Sequence, residues 1–131
     1  MSDVKILMVE DEEYVRESFV KLLKCRGYNN ILEASKGKDA IGIIEQQKPD
    51  IIFLDIQLAD DIDGLEVLKQ SKIISPETKV IMMSAYRTEY EQRAQKLGAD
   101  DFLKKPVLKI ELLTHAIEEI RRNKGLGGKQ T

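Results

Sequence analysis

At 131 residues, 42% hydrophobic and 34% charged, the chain has the length for one domain whose core needs neither disulfide nor metal. Its formal net charge of −2, with acids and bases interleaved, gives no basic patch for nucleic acid, and a single cysteine, Cys25, excludes an internal disulfide and fits a reducing compartment. No signal peptide opens the chain and no apolar run approaches bilayer length, so a soluble cytoplasmic protein without membrane contact is expected.

Val4 to Val9 reads as a first buried strand. Glu12 to Arg26 follows as a helix with Val15, Phe19 and Leu22-Leu23 on one stripe, and Gly27 closes it as a C-cap. Cys25, near its end, reads as a small apolar filler. Asn30 to Ala34 is a weaker second strand, and a helix near Lys36 to Gln47 buries Ala40, Ile41 and Ile44. Pro49 and Asp50 punctuate before the third strand, Ile51 to Asp55.

Residues Ile56 to Asp63 form a polar loop, and Gly64 to about Ile73 is a third helix with Leu65 and Leu68 inward. Val80 to Ser84 is the fourth strand. Arg87 to Leu97 is the fourth helix, with Tyr90, Ala94 and Leu97 in step and Gly98 at its end. Asp101 to Lys104 is a short fifth strand, and a last helix runs from about Leu108 to Arg122 on Leu113, Ile117 and Ile120. Residues 1–122 thus make one domain, and 123–131, rich in Gly and Lys, a flexible tail or the start of a linker.

Short apolar runs alternating with helical spacing predict an α/β fold: a doubly wound, five-stranded parallel sheet with five helices. The flavodoxin-like strand order 2-1-3-4-5 puts the switch point between the first and third strands. Ligands of open parallel sheets bind at the carboxyl ends of the strands. Glu10 and Asp11 end the first strand, Asp55 the third, Ser84 the fourth, and Lys105 follows the fifth. The second strand, at the edge, ends in Ala34 and contributes no such group. The topology therefore gathers Glu10, Asp11, Asp55, Ser84 and Lys105 in one pocket.

Three carboxylates in one crevice repel each other unless a cation or protons relieve them. Mg²⁺ (or Mn²⁺) suits an oxygen-only site and commonly bridges to a phosphoryl group. Glu12 and Glu13 read differently, as acids favoured by a helix N-terminus. Asp55 can be a metal ligand, a nucleophile that forms an aspartyl-phosphate, or both. The Lys105 ammonium and Ser84 hydroxyl suit the equatorial oxygens of a transferring phosphoryl group.

Four segments carry a specific resemblance: Ile6-Leu7-Met8-Val9-Glu10-Asp11-Glu12, Pro49-Asp50-Ile51-Ile52-Phe53-Leu54-Asp55, Val80-Ile81-Met82-Met83-Ser84-Ala85-Tyr86 and Gly98-Ala99-Asp100-Asp101-Phe102-Leu103-Lys104-Lys105-Pro106. Over nearly its whole length the chain resembles the receiver domain of two-component response regulators, the CheY-like superfamily. The resemblance implies that Asp55 accepts a phosphoryl group from a histidine kinase or histidine phosphotransfer protein. It implies Mg²⁺ on the Asp11 and Asp55 carboxylates and the Gln57 carbonyl, with Glu10 acting mainly through water. Ser84 and Lys105 would each hold a phosphoryl oxygen, and the Lys105-Pro106 bond would be cis. Phe102 matches an aromatic switch position. The output would be a population shift of the face made by the fourth helix, fifth strand and fifth helix, toward an output domain or downstream protein.

Two positions depart from that pattern. Glu10 stands where Asp is commoner, and the loop after Asp55 has one residue more before Asp63-Gly64, with no proline four residues on. The acids Asp60, Asp61 and Asp63 do not complete an EF-hand, because Ala59 takes the first ligand position and Gln70 the closing one, so a solvated loop is expected. His115 reads as a surface or half-buried helix residue. Two alternatives frame the function. A haloacid-dehalogenase-like phosphatase needs a second Asp where Gln57 stands, and an inert receiver-like interaction domain would lack one of Asp11, Asp55 or Lys105. The chain reads as a stand-alone regulator or as the receiver part of a longer one.

Overall fold

The structure, a computed structural model, describes residues 4–58, 60–85, 88–107 and 109–123. Its elements run β1 (Ile6–Val9), α1 (Glu13–Cys25), β2 (Ile31–Ala34), α2 (Gly37–Gln47), β3 (Ile51–Asp55), α3 (Gly64–Ile74), β4 (Lys79–Ser84), α4 (Thr88–Lys96), β5 (Asp101–Lys104) and α5 (Ile110–Asn123). The strands form one parallel sheet in the order β2-β1-β3-β4-β5, which is the doubly wound architecture expected. Arg87, Ala59, Leu108 and residues 124–131 of the expected tail lie outside the described residues.

Both faces of the sheet are covered, which is why β1 is apolar throughout and β3 is apolar up to Asp55 at its carboxyl end. Along β1, β3 and β4 the side chains alternate between two cores. Ile6, Met8, Ile51, Phe53, Ile81 and Met83 pack with Phe19, Val20 and Leu23 of α1 and with Leu113, Ile117 and Ile120 of α5. Leu7, Val9, Ile52, Leu54, Val80 and Met82 pack with Ala40 and Ile44 of α2, with Leu65, Val67 and Leu68 of α3, and with Ala94 of α4.

Two helix ends follow from glycine, those of α1 and α4. Gly27 (φ 94°) sits one residue past the Arg26 C-cap, where its N–H reaches the Lys24 carbonyl and that of Tyr28 the Leu23 carbonyl, both at 3.0 Å. Gly98 (φ 102°) repeats the pattern after α4, with Gly98 bonded to Gln95 and Ala99 to Ala94. Both are Schellman closures that need a left-handed residue.

Several boundaries and faces differ from expectation. The first strand begins at Ile6, because Lys5 is spent on Asp50: its N–H donates to Asp50 Oδ2 and its carbonyl accepts the Asp50 N–H. Leu22 is 45% exposed; its neighbour Leu23 takes the inward position with Phe19 and Val20. Cys25 is exposed at the end of α1 and fills no core space. His115 is exposed on α5, 3.5 Å from Glu119 one turn on. Among the described residues no helix is long and apolar enough to cross a membrane.

Candidate functional site

The carboxyl ends of β1, β3, β4 and β5 are adjacent because the sheet order makes them so. Glu10 leaves β1 fully buried: its N–H donates to the Ala34 carbonyl at 3.1 Å, and its Oε2 accepts the Glu12 N–H at 3.2 Å. Asp11, half-buried, turns the chain toward α1. Asp55 ends β3, also buried, with Oδ1 accepting the Gln57 N–H at 3.2 Å. Ser84 ends β4 buried, and its carbonyl accepts the Lys105 N–H at 2.9 Å.

Lys105 brings these ends together. Its Nζ lies 2.8 Å from Glu10 Oε1 and 3.2 Å from Asp55 Oδ2. The Lys105–Pro106 peptide bond is cis. Carboxylate oxygens of Glu10, Asp11 and Asp55 all lie within 4.8 Å of one another. A cavity of about 200 Å³ opens there, lined by Glu10, Asp11, Glu12, Asp55, Gln57, Ala85 and Lys105. Ser84, buried at the end of β4, is not among the lining residues, although Ala85, which follows it, is.

Three carboxylates facing one ammonium leave two negative charges unbalanced when all are ionised. Burial pushes the Glu10 carboxyl up to about 6, against the opposing Lys105 hydrogen bond, and the Asp55 charge adds to the rise. Burial likewise raises Asp55, although the Lys105 ammonium opposes it. Burial works against the Lys105 charge, but its hydrogen bond to Glu10 and the charge of Asp55 outweigh it and hold the ammonium above its usual range. A hard divalent cation among oxygen donors would restore neutrality, and this donor set fits Mg²⁺.

Phe102 is not part of this cavity. It pairs with Met82 on the sheet face toward α2, α3 and α4, half-buried against that core. It lines a separate cavity of about 280 Å³ with Glu91, Gln95 and Ala99.

Two residues that support the site carry no obvious motif. Arg16 of α1 donates from Nη1 to the Glu10 carbonyl at 2.8 Å and from Nε to Glu33 at 3.1 Å, so it grips the turn between the two β1 acids. Asp60, expected in a solvated loop, instead accepts the N–H groups of Gly37 and Lys38 at 3.1 and 3.2 Å. Asp63 is likewise engaged: it caps α3 by accepting the Glu66 N–H at 3.0 Å. For Asp63 the signal was local, an Asp three residues before a Glu at a helix start. For Asp60 the signal was indirect, because Lys36, the N-cap residue of α2, supplies no side-chain cap.

A family model, the response regulator receiver domain, matches residues 6–118. The response regulator MprA of Mycolicibacterium vanbaalenii is 36% identical over 121 residues, which cover 91% of this chain and 51% of that protein. A cyclic di-GMP phosphodiesterase of Thermotoga maritima is 36% identical over 120 residues, 91% of this chain and 31% of that protein. The chain therefore spans about half the length of the first relative and about a third of the second. Among solved structures, the receiver domain protein (CheY-like) of Methanospirillum hungatei superposes with a TM-score of 0.85 at 27% identity, covering 94% of this chain and 98% of that one.

Proposed function

The chain belongs to the response regulator receiver family, and on that footing we propose that it is a Mg²⁺-dependent phosphoacceptor whose Asp55 takes a phosphoryl group from a phosphohistidine donor. The observation that carries this reading is the Lys105 ammonium lying between Glu10 and Asp55, with three carboxylates within 4.8 Å. An Asp at a strand end, partly neutralised and backed by a fixed cation, has what phosphoryl transfer asks for: in-line access and charge compensation.

In the proposed step a carboxylate oxygen of Asp55 attacks phosphorus. The new P–O bond forms as the P–N bond breaks, and its electron pair passes to the imidazole, which leaves neutral with the proton on its other nitrogen. A bound Mg²⁺ would supply charge neutralisation for the phosphoryl oxygens. Asp11, Asp55 and the Gln57 carbonyl are the groups that would hold it, with Glu10 behind them. Lys105 would exchange part of its pairing with Asp55 for a phosphoryl oxygen. The Ser84 hydroxyl, at the end of β4, would take another.

The donor in this reading is a histidine kinase or a histidine phosphotransfer protein. The response would be carried by Ser84 and Phe102 to the α4-β5-α5 face, where an output domain or downstream protein would bind. Slow hydrolysis of the aspartyl-phosphate would reset the state, which makes the domain a switch and not a turnover enzyme. Gln57 at the position where a haloacid-dehalogenase-like phosphatase needs its second Asp agrees with this.

The test uses acetyl phosphate with Mg²⁺. The parent protein should gain one phosphoryl group and Asp55→Asn none. Undiminished labelling of Asp55→Asn would overturn the assignment.

A further inference from the structure

The loop that carries Gln57 is fastened at three points. At its start, the Ile56 N–H donates to the Met83 carbonyl at 3.1 Å. At its end, the Gly64 N–H donates to the Ile56 carbonyl at 2.8 Å, and a Cβ on Gly64 would fall 2.2 Å from the Asp55 carbonyl oxygen. The third point is Asp60. Its two carboxylate oxygens each take one N–H from the first residues of α2, Gly37 and Lys38. The backbone of the loop lies directly on that helix start, because a Cβ on Gly37 would fall 2.3 Å from the Ile62 carbonyl oxygen.

The first and last fastenings hold the ends of the loop to the sheet. Gln57 lies between the first of them and Asp60. Its own N–H is turned back to Asp55 Oδ1, and its side chain is exposed, so side-chain packing does not fix its carbonyl. We propose that Asp60 is a positioning residue for the cation site: by bracing the loop against the N-terminus of α2, it sets where the Gln57 carbonyl stands. This rests on the reading of Gln57 as a ligand.

Asp60 replaces the local cap that Lys36 does not supply to α2. Slight burial opposes its ionisation, but the Gly37 and Lys38 amides outweigh it and hold the carboxyl below its usual range. The brace therefore persists across the physiological pH range. Without it the loop samples more conformations, and cation binding must select the competent one, so the apparent affinity drops by the competent fraction.

The experiment compares the parent with Asp60→Ala, Asp60→Asn and Asp61→Ala. Mg²⁺ binding is followed by amide shifts in two-dimensional NMR, and Asp55 phosphorylation by acetyl phosphate is followed against Mg²⁺ concentration. Losing an N-terminal cap should raise the Mg²⁺ dissociation constant about five-fold in Asp60→Ala. Asp60→Asn, which keeps one acceptor oxygen, should give about two-fold. Asp61→Ala removes the same charge from the same loop and should stay near the parent value. The phosphorylation rate in Asp60→Ala should recover at high Mg²⁺, and its Gly37 and Lys38 amides should exchange faster.

Parent-like Mg²⁺ affinity in Asp60→Ala would overturn the proposal, as would an equal loss in Asp61→Ala, which would mean bulk charge and not positioning. If Asp60→Ala does not fold, the Asn variant carries the same comparison. A parent protein that binds no Mg²⁺ would instead sink the underlying reading of the site.

Discussion

Glu10 is fully buried and still ionisable, and that combination has a measurable consequence. Burial pushes its carboxyl from 4.5 up to about 6. A carboxyl whose folded pKa lies above its unfolded value holds its proton more tightly in the native state. Its contribution to stability is therefore full below 4.5 and lost as pH rises through about 6. The shift is worth on the order of 2 kcal/mol, and Asp55, also raised by burial, acts in the same direction. Urea unfolding of the cation-free protein should show stability falling between about pH 4.5 and pH 6.5. Millimolar Mg²⁺, which is favoured by the deprotonated carboxylates, should remove that fall. An identical fall with and without Mg²⁺ would contradict the coupling. At this scale the sequence was most legible where one residue ended an apolar run: Glu10, Asp11, Asp55 and Lys105 converge as the strand order requires. Arg16 and Asp60 were not legible, because each acts on backbone groups that only the folded chain brings near, 6 and at least 22 residues away.

Among the elements, glycines separate two kinds of constraint. A Cβ on Gly27 would meet nothing within 4 Å, so its φ of 94° is the whole restriction. Gly27→Ala should cost about 1–2 kcal/mol, the penalty of an L-residue in left-handed backbone, and should leave Mg²⁺ affinity unchanged. Gly64 carries no such φ, but its Cβ would collide with the Asp55 carbonyl oxygen and the Ile56 Cα. Gly64→Ala should therefore displace the loop beside Asp55 and weaken Mg²⁺ binding along with stability. Denaturant midpoints and Mg²⁺ titrations on the two variants check this, and equal effects on Mg²⁺ would contradict it. Helices and strands were legible in kind, and their ends less so. Lys5 looked like strand but is taken by Asp50. Leu22 looked like core because Leu22 and Leu23 are adjacent in an apolar stripe, yet a helix turns neighbours by 100° and only Leu23 points inward. The weak second strand has a physical cause too: β2 is an edge strand with only Ala34 buried, so burial leaves little trace in its composition.

For the whole molecule, the order β2-β1-β3-β4-β5 was legible because a sheet covered on both faces writes uninterrupted apolar runs into its central strands, here β1 and β3. That order places the carboxyl ends of β1 and β3 side by side and lets Lys105, which follows the β5 strand two positions from β3, reach both of them. The separation of 95 positions between Glu10 and Lys105 is bridged by topology alone. Function at this site is thus a property of the sheet as much as of its acids.

The most direct measurement is peptide mapping of the intact protein after exposure to a small phosphodonor, with borohydride trapping of acyl phosphate, in Mg²⁺ and in EDTA. One modified residue, Asp55, should be found in Mg²⁺ and essentially none in EDTA. A trapped adduct at another side chain, or equal Asp55 labelling in both conditions, would contradict a single cation-assisted phosphoacceptor site.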